Sequence, residues 1–178
     1  SHPLIAKVLP IQSVGVQGDG RTYRHPIALS GYPASWEELD LISTSITNRF
    51  HALNRVCIAL YPNELKEVRA VAKSFISESR VKLLQKADAL AQDFMRKNKM
   101  EREIWQFPVV LIPISFNGKK GETIVLRPVV SQEAMTANFY PMEWKKLKQL
   151  AAVLAKIPGV SSVLFDVTNK PPGTIEWE

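Results

Sequence analysis

Cysteine is almost absent from this chain: Cys57 is the only one among 178 residues. A single thiol excludes an internal disulfide and a cysteine-rich zinc site, and it suits a reducing compartment, so the expected location is cytoplasmic. Cys57 lies in the apolar run Arg55-Val-Cys-Ile-Ala-Leu60, with no histidine or acid beside it in a nucleophile motif, and reads as a small buried hydrophobe. His25 and His51 lack partners at metal-ligand spacing, which argues against a bound metal. No apolar run approaches the ~18 residues of a membrane span, and no signal-peptide pattern opens the chain. Ser1-His2 is given no fold meaning. Gly-rich phosphate loops and nucleophile elbows are also missing.

Charge of one sign is in modest excess. The net charge is +6, from 23 Lys and Arg against 17 Asp and Glu, which favours an anionic ligand or partner. It is mild for a nucleic-acid binder, and no array of stacking aromatics lies on a basic strand, so a nucleic-acid partner is not expected. The basic stretch at Arg96, Lys97, Lys99 and Arg102 reads as a solvated helix end, where cations suit the macrodipole.

What is present is a repeat. Val8-Leu-Pro-Ile, Thr22 to Leu29, Ser35-Trp-Glu-Glu-Leu39 and Asn54 to Leu60 form one series. Leu111-Ile-Pro-Ile, Ile124 to Val130, Met142-Glu-Trp-Lys-Lys-Leu147 and Ser161 to Val167 form the second. Matched positions stay roughly a hundred residues apart, with one loop insertion around Ser131 to Tyr140. Each copy reads strand, strand, helix, strand. In the first, Gln17-Gly-Asp-Gly20 predicts a hairpin. Ser35-Trp-Glu-Glu38 is a capping box opening a helix whose stripe is Trp36, Leu39, Ile42, Ile46 and Phe50. In the second, Trp144, Leu147, Ala151 and Leu154 form the stripe, and Pro158-Gly159 ends the helix.

The expected fold is therefore α+β: two pseudo-repeated β-β-α-β units with helices packed on sheet faces, linked by a long helical segment. Within residues 1–178, pseudo-repeat 1 spans 8–62, a helical connector spans 63–104, and pseudo-repeat 2 with a C-terminal tail spans 105–178. The connector reads as one long or two shorter amphipathic helices, with a break near Ser77-Glu-Ser79.

Three patches bear chemistry. Val14-Gly-Val-Gln-Gly-Asp-Gly-Arg-Thr-Tyr23 combines glycines that permit close approach with Asp19, an acceptor for hydroxyl or N–H groups, and Arg21, a partner for anions. Residue types alone leave this open against an ordinary hairpin turn. The tail Asp166-Val-Thr-Asn-Lys-Pro-Pro-Gly-Thr-Ile-Glu-Trp-Glu178 places Lys170 before a rigid Pro-Pro step, fit to meet a phosphate. It also reads as a tail that caps the core. Gln106, in Trp105-Gln-Phe-Pro108, has the donor and acceptor to read a purine edge, and equally suits a solvent-facing strand position.

The strings Val14 to Asp19, Arg21 to Tyr23 and Thr168-Asn-Lys-Pro-Pro-Gly-Thr-Ile-Glu-Trp-Glu178 closely resemble the C-terminal domain of GMP synthetases. Ala87-Asp88, Gln106 to Leu111 and Glu133 to Ala137 match its longer, eukaryote-like form. Departures are Gly20 for a frequent Cys, Asn169 for a common Ser, and Glu133-Ala134 for a frequent Asp-Phe. The resemblance implies a domain that helps bind XMP and join subunits in the ATP- and glutamine-dependent amination of XMP to GMP. It implies Asp19, Gln106, Lys170, Ile175 and Glu176 as XMP-binding residues, and Arg21 beside the matched Asp joins them as a candidate. No catalytic residue and no cofactor is expected in the chain itself. ATP with Mg2+ would belong to the parent enzyme, and the fragment alone, lacking the glutaminase and ATP pyrophosphatase domains, is expected to be inactive. Those two domains are the expected partners, with a homodimer as a further one. The competing reading is an assembly module that touches no ligand.

Overall fold

Alternation along the strands decides the architecture of this computed structural model, which describes residues 3–71, 74–133 and 135–178. Ser1-His2 and Ala134 of the matched Glu133 to Ala137 stretch lie outside them. The elements run β1 (Ile5–Val8), β2 (Ser13–Gln17), β3 (Gly20–Ser30), α1 (Trp36–Arg49), β4 (Leu53–Tyr61), β5 (Val68–Ala70), α2 (Glu78–Lys97), β6 (Val109–Ile112), β7 (Ile114–Phe116), β8 (Glu122–Leu126), β9 (Val129–Val130), β10 (Asn138–Phe139), α3 (Trp144–Leu154) and β11 (Val160–Asp166). The fold is α+β.

The main sheet has the order β1-β3-β4-β11-β8-β6, with β2 paired to β3. Its pairing directions read the same from either edge: β1–β3 antiparallel, β3–β4 parallel, β4–β11 antiparallel, β11–β8 parallel and β8–β6 antiparallel. Side chains on successive strand residues point to opposite faces. Val56, Ile58 and Leu60 of β4, with Val163 and Phe165 of β11, join the cluster that contains residues of all three helices. Cys57 and Ala59, with Leu164, face the other way, against Trp177 of the tail and Ile114 and Phe116 of β7. Both faces are thus covered, one by helices and one by the tail and the β5–β7 ribbon.

The helix starts follow their caps. Ser35 Oγ accepts from Glu38 N at 3.2 Å, as a capping box requires, while the Glu38 carboxylate takes the Ala34 N–H. Leu39 is buried, but Phe50 is 51% exposed. The helix has ended there, with Phe50 already extended at its C-cap, so the last member of the expected stripe turns away from the core. Trp36 of α1 stacks on Trp144 of α3, with ring centroids 4.2 Å apart and an interplanar angle of 2°.

The connector differs from expectation. Val68–Ala70 pairs antiparallel with β7 instead of forming a helix, and α2 begins only at Glu78, capped by Ser77, whose Oγ accepts from Arg80 N. Leu65 and Val68 are drawn to the tail-side cluster, and that burial outweighs the local helical propensity of the stretch. Among the described residues no helix is long and apolar enough to cross a membrane.

Candidate functional site

The tail is built into the core by backbone pairing on both sides. Beyond β11, Lys170 N donates to Ala137 O at 2.7 Å and Ala137 N returns the bond to Lys170 O at 3.1 Å. On the other side Val16 N donates to Pro172 O at 2.7 Å, and Val14 N to Trp177 O at 2.9 Å. The tail therefore lies against β2, with Gly15 opposite Gly173. A Cβ on Gly15 would stand 2.7 Å from Pro172 O and 2.8 Å from Asn54 Nδ2. A glycine here lets two backbones touch. Asn54 is itself fixed, accepting from Ser13 Oγ at 2.8 Å and donating to Ser13 O at 2.7 Å.

Three charged side chains, fully buried, anchor this arrangement. The Asp166 carboxylate receives Arg55 at 3.0 Å and Arg127 at 2.9 Å, and the Trp177 indole N–H at 2.9 Å. Apart from Arg55 Nε, which is buried with no hydrogen-bond partner, the guanidiniums turn their remaining donors to oxygens of the chain. Arg55 reaches Val14, Thr174 and Glu176, and Arg127 reaches Thr168, Thr174 and Ile175. Arginine's planar fork suits this work, because one side chain satisfies several acceptors without moving. Burial by itself would raise the Asp166 carboxyl, but Arg127 and Arg55 outweigh it and hold it below its ordinary range. Burial draws Arg55 down to about 10, against the pull of Asp166, so it stays charged at neutral pH. None of the three was singled out in the sequence, where Arg55 is a lone charge within apolar β4, Arg127 follows the apolar end of β8 and Asp166 closes β11.

Beside this anchor lies a cleft of about 560 Å³, lined by Gln17 and Gly18 of the hairpin, Asn48 and His51 from the end of α1, Met135 and Lys170, among others. The hairpin turn is tight: Gln17 pairs with Gly20, and Gly18 has φ 73°. Asp19 is exposed at that turn, next to the lining residue Gly18, and Arg21 is exposed at the start of β3. The hairpin and Lys170, far apart in the chain, thus meet at one cleft. Ile175 is buried with Val129 and Ala137. Glu176 has an exposed side chain, and its carbonyl is tied to Arg55. Gln106, also exposed, bridges to Val129 of that small cluster and is not among the residues that line the cleft. Asn48, His51 and Met135 were not singled out as site residues, because nothing local marks the end of α1 or the insertion as facing the tail. Among the described residues no group of three or more His, Cys, Asp or Glu side chains could hold a metal ion.

Comparison with known proteins adds the following. The family described as GMP synthase C terminal domain matches residues 93–177. A probable glutamine-hydrolysing GMP synthase of Leptospira interrogans is 43% identical over 176 residues, covering 98% of this chain and 29% of that protein. A probable GMP synthase of Caenorhabditis elegans is 33% identical over 196 residues, covering 97% of this chain and 26% of that protein. The GMP synthase of Syntrophomonas wolfei is 39% identical over 110 residues, covering 58% of this chain and 22% of that protein. The chain spans less than a third of the length of these relatives.

Proposed function

Because this chain belongs to the GMP synthase family, through that family's C-terminal domain, we propose that it supplies part of the site holding XMP while the nucleotide is aminated to GMP. The observation that carries this reading is the convergence of Lys170 and the Gln17-Gly18 turn on one cleft. A cleft of about 560 Å³ lies in the ~300–1,000 Å³ range of small-molecule sites. In this reading Lys170 meets the phosphate as a point charge. Asp19 and Glu176 satisfy hydroxyl and N–H groups of ribose and base, with Arg21 a second cation at the hairpin; Gln106, outside the cleft lining, joins them where the ligand extends past the cleft. Ile175 acts from within, as the buried residue that sets the tail's path past the ligand.

The chain positions substrate and does no bond chemistry of its own. Release of ammonia from glutamine and activation of XMP by ATP with Mg2+ fall to glutaminase and ATP pyrophosphatase domains, its partners in a cytoplasmic enzyme. Among the described residues no group of three or more His, Cys, Asp or Glu side chains is placed to hold the Mg2+. The test is steady-state kinetics of a complete synthase carrying Lys170→Ala. KM for XMP is expected to rise roughly tenfold or more, the loss of one charge-assisted contact of ~1.5–3 kcal/mol. An unchanged KM would leave the assembly reading in its place.

The sheet bears on assembly. Its two similar halves meet within one chain through β4 and β11, as two subunits meet across an isologous contact. We expect the chain to sediment as a monomer or weak dimer across a concentration series. A tight dimer would show that the internal contact does not replace one between subunits.

A further inference from the structure

The end of α1 forms a wall of the cleft that the reading above leaves without a role. We infer that Asn48 and His51 bind the sugar-and-base end of a nucleoside monophosphate, opposite the phosphate held at Lys170; this rests on the nucleotide reading of the same cleft. Helix α1 ends at Arg49, and its last turn is closed by Phe50 N–H donating to Ile46 O at 2.9 Å. The carbonyls after Ile46 lie past the last helical donor, so this end of the cleft carries the negative pole of the helix. That pole disfavours a phosphate and favours hydrogen-bond donors, such as ribose hydroxyls and base N–H groups. The cation that lines the cleft is Lys170, on the tail, whose backbone is held by paired bonds to Ala137. Arg49 in that last turn offsets part of the pole but does not line the cleft, so Lys170 is the one Lys or Arg among the described lining residues and sets the end at which a phosphate sits.

Side-chain chemistry agrees with that placement. Asn48 offers an amide donor and acceptor, and His51 a ring nitrogen of each kind when neutral. Both are exposed and line the cleft. Thr47, their neighbour, is buried and its hydroxyl donates back to Ser43 O at 2.9 Å, so it adds no free donor. Met135, 77% exposed, also lines the cleft, and its polarisable thioether suits the face of a purine ring.

The test is an isotope-labelled NMR titration of this chain with XMP and, separately, with inorganic phosphate. The side-chain signals of Asn48 and His51 are followed with the backbone amides of Gly18 and Thr136. XMP is expected to move all four, and phosphate to leave Asn48 and His51 unmoved. The double variant Asn48→Ala, His51→Ala is expected to weaken XMP about fivefold or more, one net hydrogen bond or better, with phosphate affinity unchanged. Lys170→Ala is expected to weaken both ligands. Shifts at Gly18 and Thr136 without Asn48 and His51 would overturn the inference and leave the nucleotide reading standing. Phosphate moving His51 as XMP does would overturn the orientation. No shift at any of the four with XMP would remove the nucleotide reading and this inference together.

Discussion

Asp166→Asn is the most informative single change. The substitution keeps the shape of the side chain but leaves Arg55 and Arg127, both fully buried, without their shared counter-charge. Removing one partner of a buried ion pair costs ~3–5 kcal/mol, mostly because the remaining charge stays desolvated. At a typical urea dependence of about 2 kcal/mol per molar, the unfolding midpoint falls by roughly 1.5–2.5 M. Tryptophan fluorescence reports the transition through the stacked Trp36 and Trp144, which every variant keeps. Trp177→Phe is the control, removing the indole donor and some packing while the ion pairs persist, and it should cost clearly less. The sign of the pH dependence follows from the depressed Asp166 carboxyl. Its contribution is fully present above the ordinary value of 3.8 and is lost as pH falls through the lower folded value. The stability gap between the native chain and Asp166→Asn should therefore narrow below about pH 4. A midpoint loss under about 0.5 M, or a Trp177→Phe cost equal to that of Asp166→Asn, would refute charge neutralisation as the cause.

Three further outcomes follow from the geometry. Gly15→Ala puts a methyl against the Pro172 carbonyl and Asn54; overpacking of ~1–3 kcal/mol should lower Tm by roughly 3–10 °C and speed proteolysis of the tail. Gly18→Asn, at an open left-handed turn, should leave Tm within about 2 °C, because Asn tolerates that conformation. Burial pushes the Cys57 thiol up, and Asp166 adds to it, so thiol reagents should label the native chain only at the rate of global unfolding. Labelling within minutes in native buffer would contradict its place in the core.

Elements whose signals are local were readable in the sequence. The capping box placed α1, the Trp144 stripe placed α3, and Gln17 to Gly20 placed the β2–β3 hairpin. The stretch after Asn63 misled because it holds no Pro or Gly, while its true partner, β7, lies nearly fifty residues on; three-residue strands are decided by such distant pairing. The site divided the same way. Lys170 and the Gly-Asp turn stood out as motifs, and their shared cleft followed from the tail docking on β2. The Arg55, Arg127 and Asp166 cluster did not stand out, since each is a lone charge within or at the end of an apolar run and only folding puts them in contact. Gln106 differs from them: its residue type fits the chemistry, and it pairs with Val129 outside the residues that line the cleft.

The way the tail closes the anchor also constrains the order of synthesis. Arg55 emerges from the ribosome more than a hundred residues before Asp166, and the carbonyls that complete its coordination belong to Thr174 and Glu176. Until that last stretch has cleared the exit tunnel, the first half carries an arginine whose interior place is not yet habitable. Vectorial folding of the earlier strands is therefore incomplete, and the central β4–β11 seam sets late, a consequence of contacts that span nearly the whole length of the chain.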